Sequence, residues 1–302
     1  MAINRRQLAV LALLTLVWGL NWPVMKIGVS GSAAHPGGYP PLTFRALSML
    51  AGLPVLGLAL WALKVPLRVE RAHWPALARL ALPNMIVWHV LIIVAVQALS
   101  SGRAAILGYT MPVFSALWGV AFFGDRLSWR QSAGVLAAAL GVTLLLAHEF
   151  GKLAGAPLAA LAMLLAAATW AYGTHLLRRT ALPQATLTLV FWMTALTTVV
   201  VSLCALVFEA SQWRWPAPHT AWAIAYNAVG VFGFAHAAWF FLARSMPPVA
   251  STLSVMLIPV LGVFSGAFWL GEALHWQDFT AMALMVMAIG AVLLPWPLLR
   301  RR

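Results

Sequence analysis

Charge is what this chain has least of. Only 8% of its 302 residues are charged and six are acidic, against about 25% charged residues in soluble proteins. A chain with so few solvating groups does not form a water-soluble domain of this size. The six acids, Glu70, Asp125, Glu149, Glu209, Glu272 and Asp278, all fall at expected helix ends or in loops. A carboxylate at mid-bilayer costs roughly 2.5–3.5 kcal/mol even on the lenient insertion scale, and proteins that keep one there use it to move protons or sodium. None is available here, which argues against a buried acid as a proton carrier. Cysteine is nearly absent too. The single Cys204, inside an apolar run, excludes a disulfide framework and a cysteine metal site. The eight histidines never fall at His-xxx-His or His-Glu-xx-His spacing, so no zinc site is expected, and no cofactor. Long polar linkers are missing as well: the longest connections run from Ser30 to Pro40 and from Glu209 to His219, too short for a soluble domain.

What is present is apolar. The chain is 63% hydrophobic with 16 Trp, and its mean hydropathy of +0.90 marks a polytopic membrane protein. A bilayer span needs about 20 apolar residues. Ten candidates appear: Leu8 to Val29, Pro41 to Leu63, Trp74 to Leu99, Gly102 to Phe123, Gln131 to Ala147, Gly155 to Leu177, Thr186 to Phe208, Thr220 to Ala243, Pro248 to Leu270 and Phe279 to Leu298. The first exceeds a signal-peptide core and has no small-residue cleavage site after it, so it is expected to stay as the first helix. A net charge of +13 does not point to nucleic acid, because no stretch is long enough to be a folded basic domain. The charge follows topology instead. With the N-terminus cytoplasmic, the inner side collects Arg5, Arg6, Lys64, Arg68, Arg71, Arg126, Arg130, Arg178, Arg179, Arg244, Arg300, Arg301 and Arg302. The outer loops keep only Lys152 and Arg214, with Arg103 at a helix start. That bias satisfies the positive-inside rule and puts both termini inside.

The chain also repeats itself. Pro112-Val113, Gly124-Asp125, Leu127 and Trp129 return 147 positions later as Pro259-Val260, Gly271-Glu272, Leu274 and Trp276. Ser115 with Gly119 and Gly262 with Gly266 share a small-xxx-small spacing that lets helix backbones approach in lipid. Trp18-Gly19 and Lys26 have counterparts in Trp170-Ala171 and Arg178. Ten helices divide into residues 1–150 and 151–302, five each. Because five is odd, the second half must be inserted upside down. The expected fold is an all-α membrane protein of ten transmembrane helices in two inverted five-helix repeats.

Polar and aromatic groups gather in six of the ten spans. They are Trp18, Asn21 and Trp22 in the first, Asn84, Trp88 and His89 in the third, and Tyr109, Thr110 and Met111 in the fourth. The sixth adds Trp170, Tyr172 and His175, the eighth Tyr226, Asn227, His236 and Trp239, and the ninth Ser251, Thr252 and Ser254. Spans five and ten are nearly pure Ala, Leu, Val, Met and Gly. Polar side chains avoid lipid, so the six richer helices are expected to surround a central cavity free of formal charge. The bland alternatives are a neutral histidine bonded to a neighbouring carbonyl and a tryptophan buried in the bundle. Trp61, Trp74, Trp129, Trp213, Trp215, Trp276 and Trp296 fall at span ends and read as an interfacial belt. Pro112 and Pro259 sit inside spans, where each removes a backbone donor and frees the carbonyl four residues earlier; a paired hinge is the functional reading and a static kink the alternative. Lys26, Arg45 and Arg79, near span ends, could attract a carboxylate, and snorkelling to headgroups is the reading preferred for each.

These motifs, in this order and duplicated, resemble the drug/metabolite transporter superfamily, of the EamA type with two repeats of five helices. Gly233-Phe234-Ala235-His236-Ala237-Ala238-Trp239 and Trp170-Ala171-Tyr172 are similar to the YddG-type exporters of aromatic and other amino acids, although Met111 stands before Pro112 where those lead one to expect Trp. The resemblance implies an inner-membrane exporter of amino acids or other small metabolites working by alternating access, with the lipid bilayer and a small-molecule substrate as its partners. A multidrug or nucleotide-sugar-like transporter of the same superfamily is the alternative within transport. An intramembrane enzyme or a structural membrane protein is the alternative outside it, and the acids are misplaced for catalysis.

Overall fold

The computed structural model describes residues 5–31, 38–151, 156–239 and 248–293, apart from the side chains of 146, 148–151, 248–256, 292 and 293. Within them the chain forms ten helical rods and no strand. These are α1 (Arg5–Val29), α2 (Pro41–Ala62), α3 (Arg71–Ala98), α4 (Ser101–Phe123) and α5 (Trp129–Gly151), then α6 (Pro157–Arg179), α7 (Thr186–Glu209), α8 (218–239), α9 (Pro248–Leu270) and α10 (Trp276–Leu293). Each overlaps one expected span. By length and composition, α1, α2, α3, α4, α6 and α7 can each cross a membrane.

Local chemistry sets the rod ends. Pro41 opens α2 and Pro157 opens α6, where the missing N–H would have had no partner anyway. Ser128 and Gln131 form a reciprocal capping box before α5, with Ser128 N–H donating to Gln131 Oε1 at 2.8 Å and Gln131 N–H to Ser128 Oγ at 3.3 Å. Gly124 and Gly271 end α4 and α9 with φ of 73° and 64°, the left-handed closing geometry that glycine adopts without a Cβ penalty. The duplication seen in the letters is thus present in the backbone.

Three rods are interrupted. α3 passes through a π turn at Leu82–Ile86, where Pro83 has no N–H for the α-helical ladder. α8 carries a longer π stretch, Asn227–Ala235. α4 is broken at Tyr109–Thr110 into Ser101–Gly108 and Met111–Phe123, whereas α9 runs unbroken through Pro259. The two prolines, equivalent in sequence, are therefore not equivalent in backbone: Pro112 starts a helical segment and Pro259 lies inside one.

Packing repeats with a five-helix offset. α1 packs on α9 as α6 packs on α4, α2 on α8 as α7 on α3, and α3 on α6 as α8 on α1; α5 packs along α10. The last pair fits the nearly side-chain-uniform composition of those two spans. Successive rods alternate in direction, so the bundle has a termini end and a far end. At the far end α1, α3, α5, α7 and α9 finish and α2, α4, α6, α8 and α10 begin. Lys26 Nζ of α1 there donates to the Val96 and Gln97 carbonyls of α3 at 3.2 and 2.8 Å. It is a C-terminal cap on a neighbouring helix, which replaces the snorkelling expected of it.

The small-residue pairs work differently from each other. A Cβ at Gly262 would lie 2.7 Å from Ala105 Cβ, so Gly262 does let α4 and α9 approach. At Gly119 and Gly266 the space is taken by the carboxylates of the following loops: a Cβ would lie 2.6 Å from Asp125 Oδ2 and 2.6 Å from Glu272 Oε2 respectively.

Candidate functional site

The expected site residues lie on the six richer rods, and the side chain of Ser254, like those of Ser251 and Thr252, is outside the described residues. They separate into groups. Trp22 of α1 meets Tyr109 of α4 with ring centroids 6.2 Å apart. Trp88 of α3 meets Trp170 of α6 at 5.3 Å, and Trp18 of α1 meets Trp239 of α8 at 5.6 Å. The last two contacts are counterparts, since Trp18 corresponds to Trp170. The rings meet one another across the bundle instead of standing back from an open hollow, and Trp22, Trp88 and Tyr109 are buried. Thr110 turns its hydroxyl to the Leu107 carbonyl at 2.6 Å, closing the break in α4. Met111 packs against the same core.

Tyr172 and His175 form a second group, nearer the termini end between α4 and α6. His175 Nε2–H donates to the Ser115 carbonyl at 2.8 Å and lies 3.0 Å from Ser115 Oγ. Phe123 stacks on His175 with centroids 4.8 Å apart and also on Tyr172. The bland alternative holds for His175, whose imidazole is bonded and covered. Sequence reasoning took Ser115 for a packing residue and did not see it as this partner.

The third group is the most polar part of the interior. Asn21 of α1, His89 of α3, and Asn227 and His236 of α8 converge there, all buried. Their neighbour is Arg45 of α2, 1% exposed and among the largest fully buried side chains. Arg45 was expected to snorkel. It does not, because its guanidinium turns inward to side chains of α1 and α8. Arg45 Nη1–H donates to Asn227 Oδ1 at 3.4 Å and Nη2–H to Met25 Sδ at 2.8 Å. Its guanidinium lies 5.7 Å from the centre of the Phe232 ring. Phe232 in turn joins the two histidines, with centroids 5.4 Å from His89 and 5.6 Å from His236. Asn227 donates to the Ala223 carbonyl at 3.0 Å, and His236 Nδ1–H to the Val231 carbonyl at 2.8 Å. That last bond spans five residues, the spacing a π stretch creates.

Four buried polar atoms in this group have no partner: Arg45 Nε, both ring nitrogens of His89, and Asn21 Oδ1. Among the described residues no carboxylate pairs with Arg45. An unpaired buried charge costs several kcal/mol, and polar groups of this kind are retained where they are used. The expectation of an interior free of formal charge is therefore corrected: the charge is there, and it is positive. The available signal was Arg45 itself, a single basic residue inside the apolar run Leu42-Thr43-Phe44-Arg45-Ala46-Leu47.

Three of the acids belong to the far end. Glu209, the last residue of α7, accepts from Leu42 N–H at 2.9 Å, Thr43 N–H at 2.7 Å and Thr43 Oγ1–H at 2.8 Å, capping α2. Glu272 accepts from Ser101 N–H at 2.7 Å, Ser101 Oγ–H at 2.9 Å and Gly102 N–H at 3.3 Å, capping α4. Asp278 pairs with Arg103 Nε at 2.8 Å, both side chains buried. At the termini end a cleft of about 440 Å³ opens between Pro66, Arg68 and Glu70 on one side and Pro183, Gln184, Ala185 and Thr188 on the other.

Comparison with known proteins agrees with this architecture. The profile of the EamA-like transporter family matches the chain twice, over residues 6–147 and 155–294. An uncharacterized inner membrane transporter of Escherichia coli (strain K12), YedA, is 27% identical over 286 residues, covering 93% of this chain and 88% of its own. A probable amino-acid metabolite efflux pump of the same organism is 26% identical over 299 residues, covering 93% of each. A solved crystal structure superposes with a TM-score of 0.68 at 22% identity, covering 98% of this chain and 99% of the other.

Proposed function

Because the chain belongs to the EamA-like transporter family, making it a multi-pass membrane transporter, we propose that it exports amino acids or closely related small metabolites across the bacterial inner membrane. The halves 1–150 and 151–302 rock about the interior group of Asn21, Arg45, His89, Asn227 and His236, with the termini in the cytoplasm. The observation that carries this reading is that group: a few convergent polar atoms, four without a partner, gathered around the Phe232 ring. An apolar, aromatic wall with few polar atoms suits a small amphipathic solute. The name of the efflux relative supports the same substrate class. A lipophilic cation is disfavoured by Arg45, which would repel it with no acid nearby to compensate. A nucleotide would need several buried basic groups, and the interior group has one.

Transport runs down the solute gradient in this reading. The carboxylates Glu209, Glu272 and Asp278 are engaged in helix caps or an ion pair, so none of them is free to carry a proton. A zwitterion has no net charge, and the membrane potential, worth about 2.3 kcal/mol per charge per 100 mV, leaves it unaffected. Proteoliposomes loaded with radiolabelled amino acids test this: efflux should follow the solute gradient and persist when an uncoupler collapses the proton gradient. Loss of flux with the uncoupler counts against gradient-driven export, and absence of flux for every amino acid counts against the substrate class.

A further inference from the structure

We propose that Arg45 is the carboxylate anchor of the transport site, and that Asn21 and His89 take the ammonium end of the same molecule; this rests on the amino-acid reading above. The anchor is assembled from four rods. α2 supplies the guanidinium, α8 holds it through Asn227 Oδ1 at 3.4 Å, and α1 holds it through Met25 Sδ at 2.8 Å. α3 brings His89 against the Phe232 ring that also carries Arg45. A thioether is a weak acceptor and an amide oxygen a neutral one, so neither replaces a counter-anion. Asn227 is itself tied to the Ala223 carbonyl, which fixes the direction of the oxygen that it offers to Arg45.

What remains free on Arg45 has a particular shape. Nε has no partner, and each terminal nitrogen has only one. Nε–H and the adjacent terminal N–H form one side of the guanidinium fork, the side that receives two carboxylate oxygens in parallel. One buried positive charge matches one negative charge. A carboxylate neutralises it, whereas a phosphate dianion would leave a charge uncovered. The other unpartnered atoms suit an ammonium group. Asn21 Oδ1 accepts only, and a neutral imidazole has one accepting nitrogen beside its donor; both nitrogens of His89 are free. Asn21 lies one helical turn before Met25, whose sulfur holds the guanidinium, on the same face of α1. The bundle thus presents donors in a fork on one side and acceptors on the other, the complement of a zwitterion's two ends.

The probes are L-leucine, L-phenylalanine and L-alanine, their C-terminal amides, and the deaminated acids 4-methylpentanoate, 3-phenylpropanoate and propanoate. Each is titrated into the purified full-length protein by calorimetry and thermal shift. At least one amino acid and its deaminated acid should bind, with the amide about ten- to a hundredfold weaker, the loss set by charged hydrogen bonds to a buried group. Arg45→Met should abolish that preference while leaving the melting temperature equal or higher, because an unpaired buried charge has gone. A structural arginine would instead lower it. Arg45→Lys should keep the preference for acid over amide with weaker binding. Equal binding of acid and amide, unchanged acid binding by Arg45→Met, or no binding by any probe at millimolar concentration overturns the anchor. The export reading fails separately: acids that bind through Arg45 without any amino-acid efflux leave the anchor standing and remove amino acids as cargo, and efflux that ignores Arg45→Met does the reverse.

Discussion

The two ends of the bundle are built from the same repeated unit and yet held in opposite ways. At the far end, Glu209, Glu272 and Asp278 are all turned inward and bonded across the two halves, and Lys26 caps α3. At the termini end, Glu70 and Asp125 are exposed. The cross-half bonds there are mostly neutral: Gln184 to His73 at 2.8 Å, Thr188 to the Pro66 carbonyl at 2.7 Å and Trp192 to the Leu67 carbonyl at 2.6 Å. Arg179 reaches both Asp125, in a 3.9 Å contact with both side chains about half exposed, and the face of the Phe123 ring. Charge-assisted, buried hydrogen bonds are roughly twice as strong as neutral ones. A duplicated fold therefore does not imply duplicated strength: the far end is latched by buried charge, and the termini end is held mostly by neutral bonds beside a cleft.

Substitutions can break that contrast or sharpen it. The largest effect is expected from Arg103→Met, which leaves Asp278 buried without its cation and should destabilise the protein by about 3–5 kcal/mol, read as a fall in the melting temperature of the purified protein. Next comes the glycine pair. Gly266→Ala drives a methyl into the Glu272 carboxylate and the Ser101 hydroxyl, and a displaced cap plus overpacking costs about 1–3 kcal/mol. Gly119→Ala meets only the side chain of exposed Asp125 and should cost less in the same assay; equal losses would erase the proposed difference between the ends. The smallest effect belongs to Asp125→Asn, within about 0.5 kcal/mol, because a half-exposed pair at that distance is weak. A large loss there would mean that the termini end is latched too.

Much of this architecture is legible in the letters. Hydropathy yields ten spans because a bilayer demands a fixed length of apolar helix, and Gly124 and Gly271 announce the same left-handed ending twice. The belt is readable in part: Trp61, Trp129, Trp213, Trp215 and Trp276 are exposed at rod ends, while Trp74 packs on Trp192 with centroids 5.0 Å apart. Arg45 and Lys26 are misread from sequence because distance from a span end cannot distinguish a side chain reaching out to headgroups from one reaching across to a neighbouring helix. Ser115 illustrates the same limit. Its spacing with Gly119 suggests packing, but its use as the partner of His175 depends on α6, 60 positions away. The asymmetry of Pro112 and Pro259 is hidden for a related reason. A proline permits either a kink or a break, and the surroundings choose between them.

The interruption at Tyr109–Thr110 has its own consequence. The two pieces of α4 have 8 and 13 residues, about 12 and 20 Å at 1.5 Å per residue, so neither alone matches a hydrocarbon layer some 30 Å thick. Every residue from Ser101 to Thr110 is shielded by protein, as a joint with exposed peptide groups requires in lipid. The shorter piece is consequently positioned by α1, α6, α9 and α10 and not by the bilayer, and a shift of any of these would carry it along like a piston on a common crank.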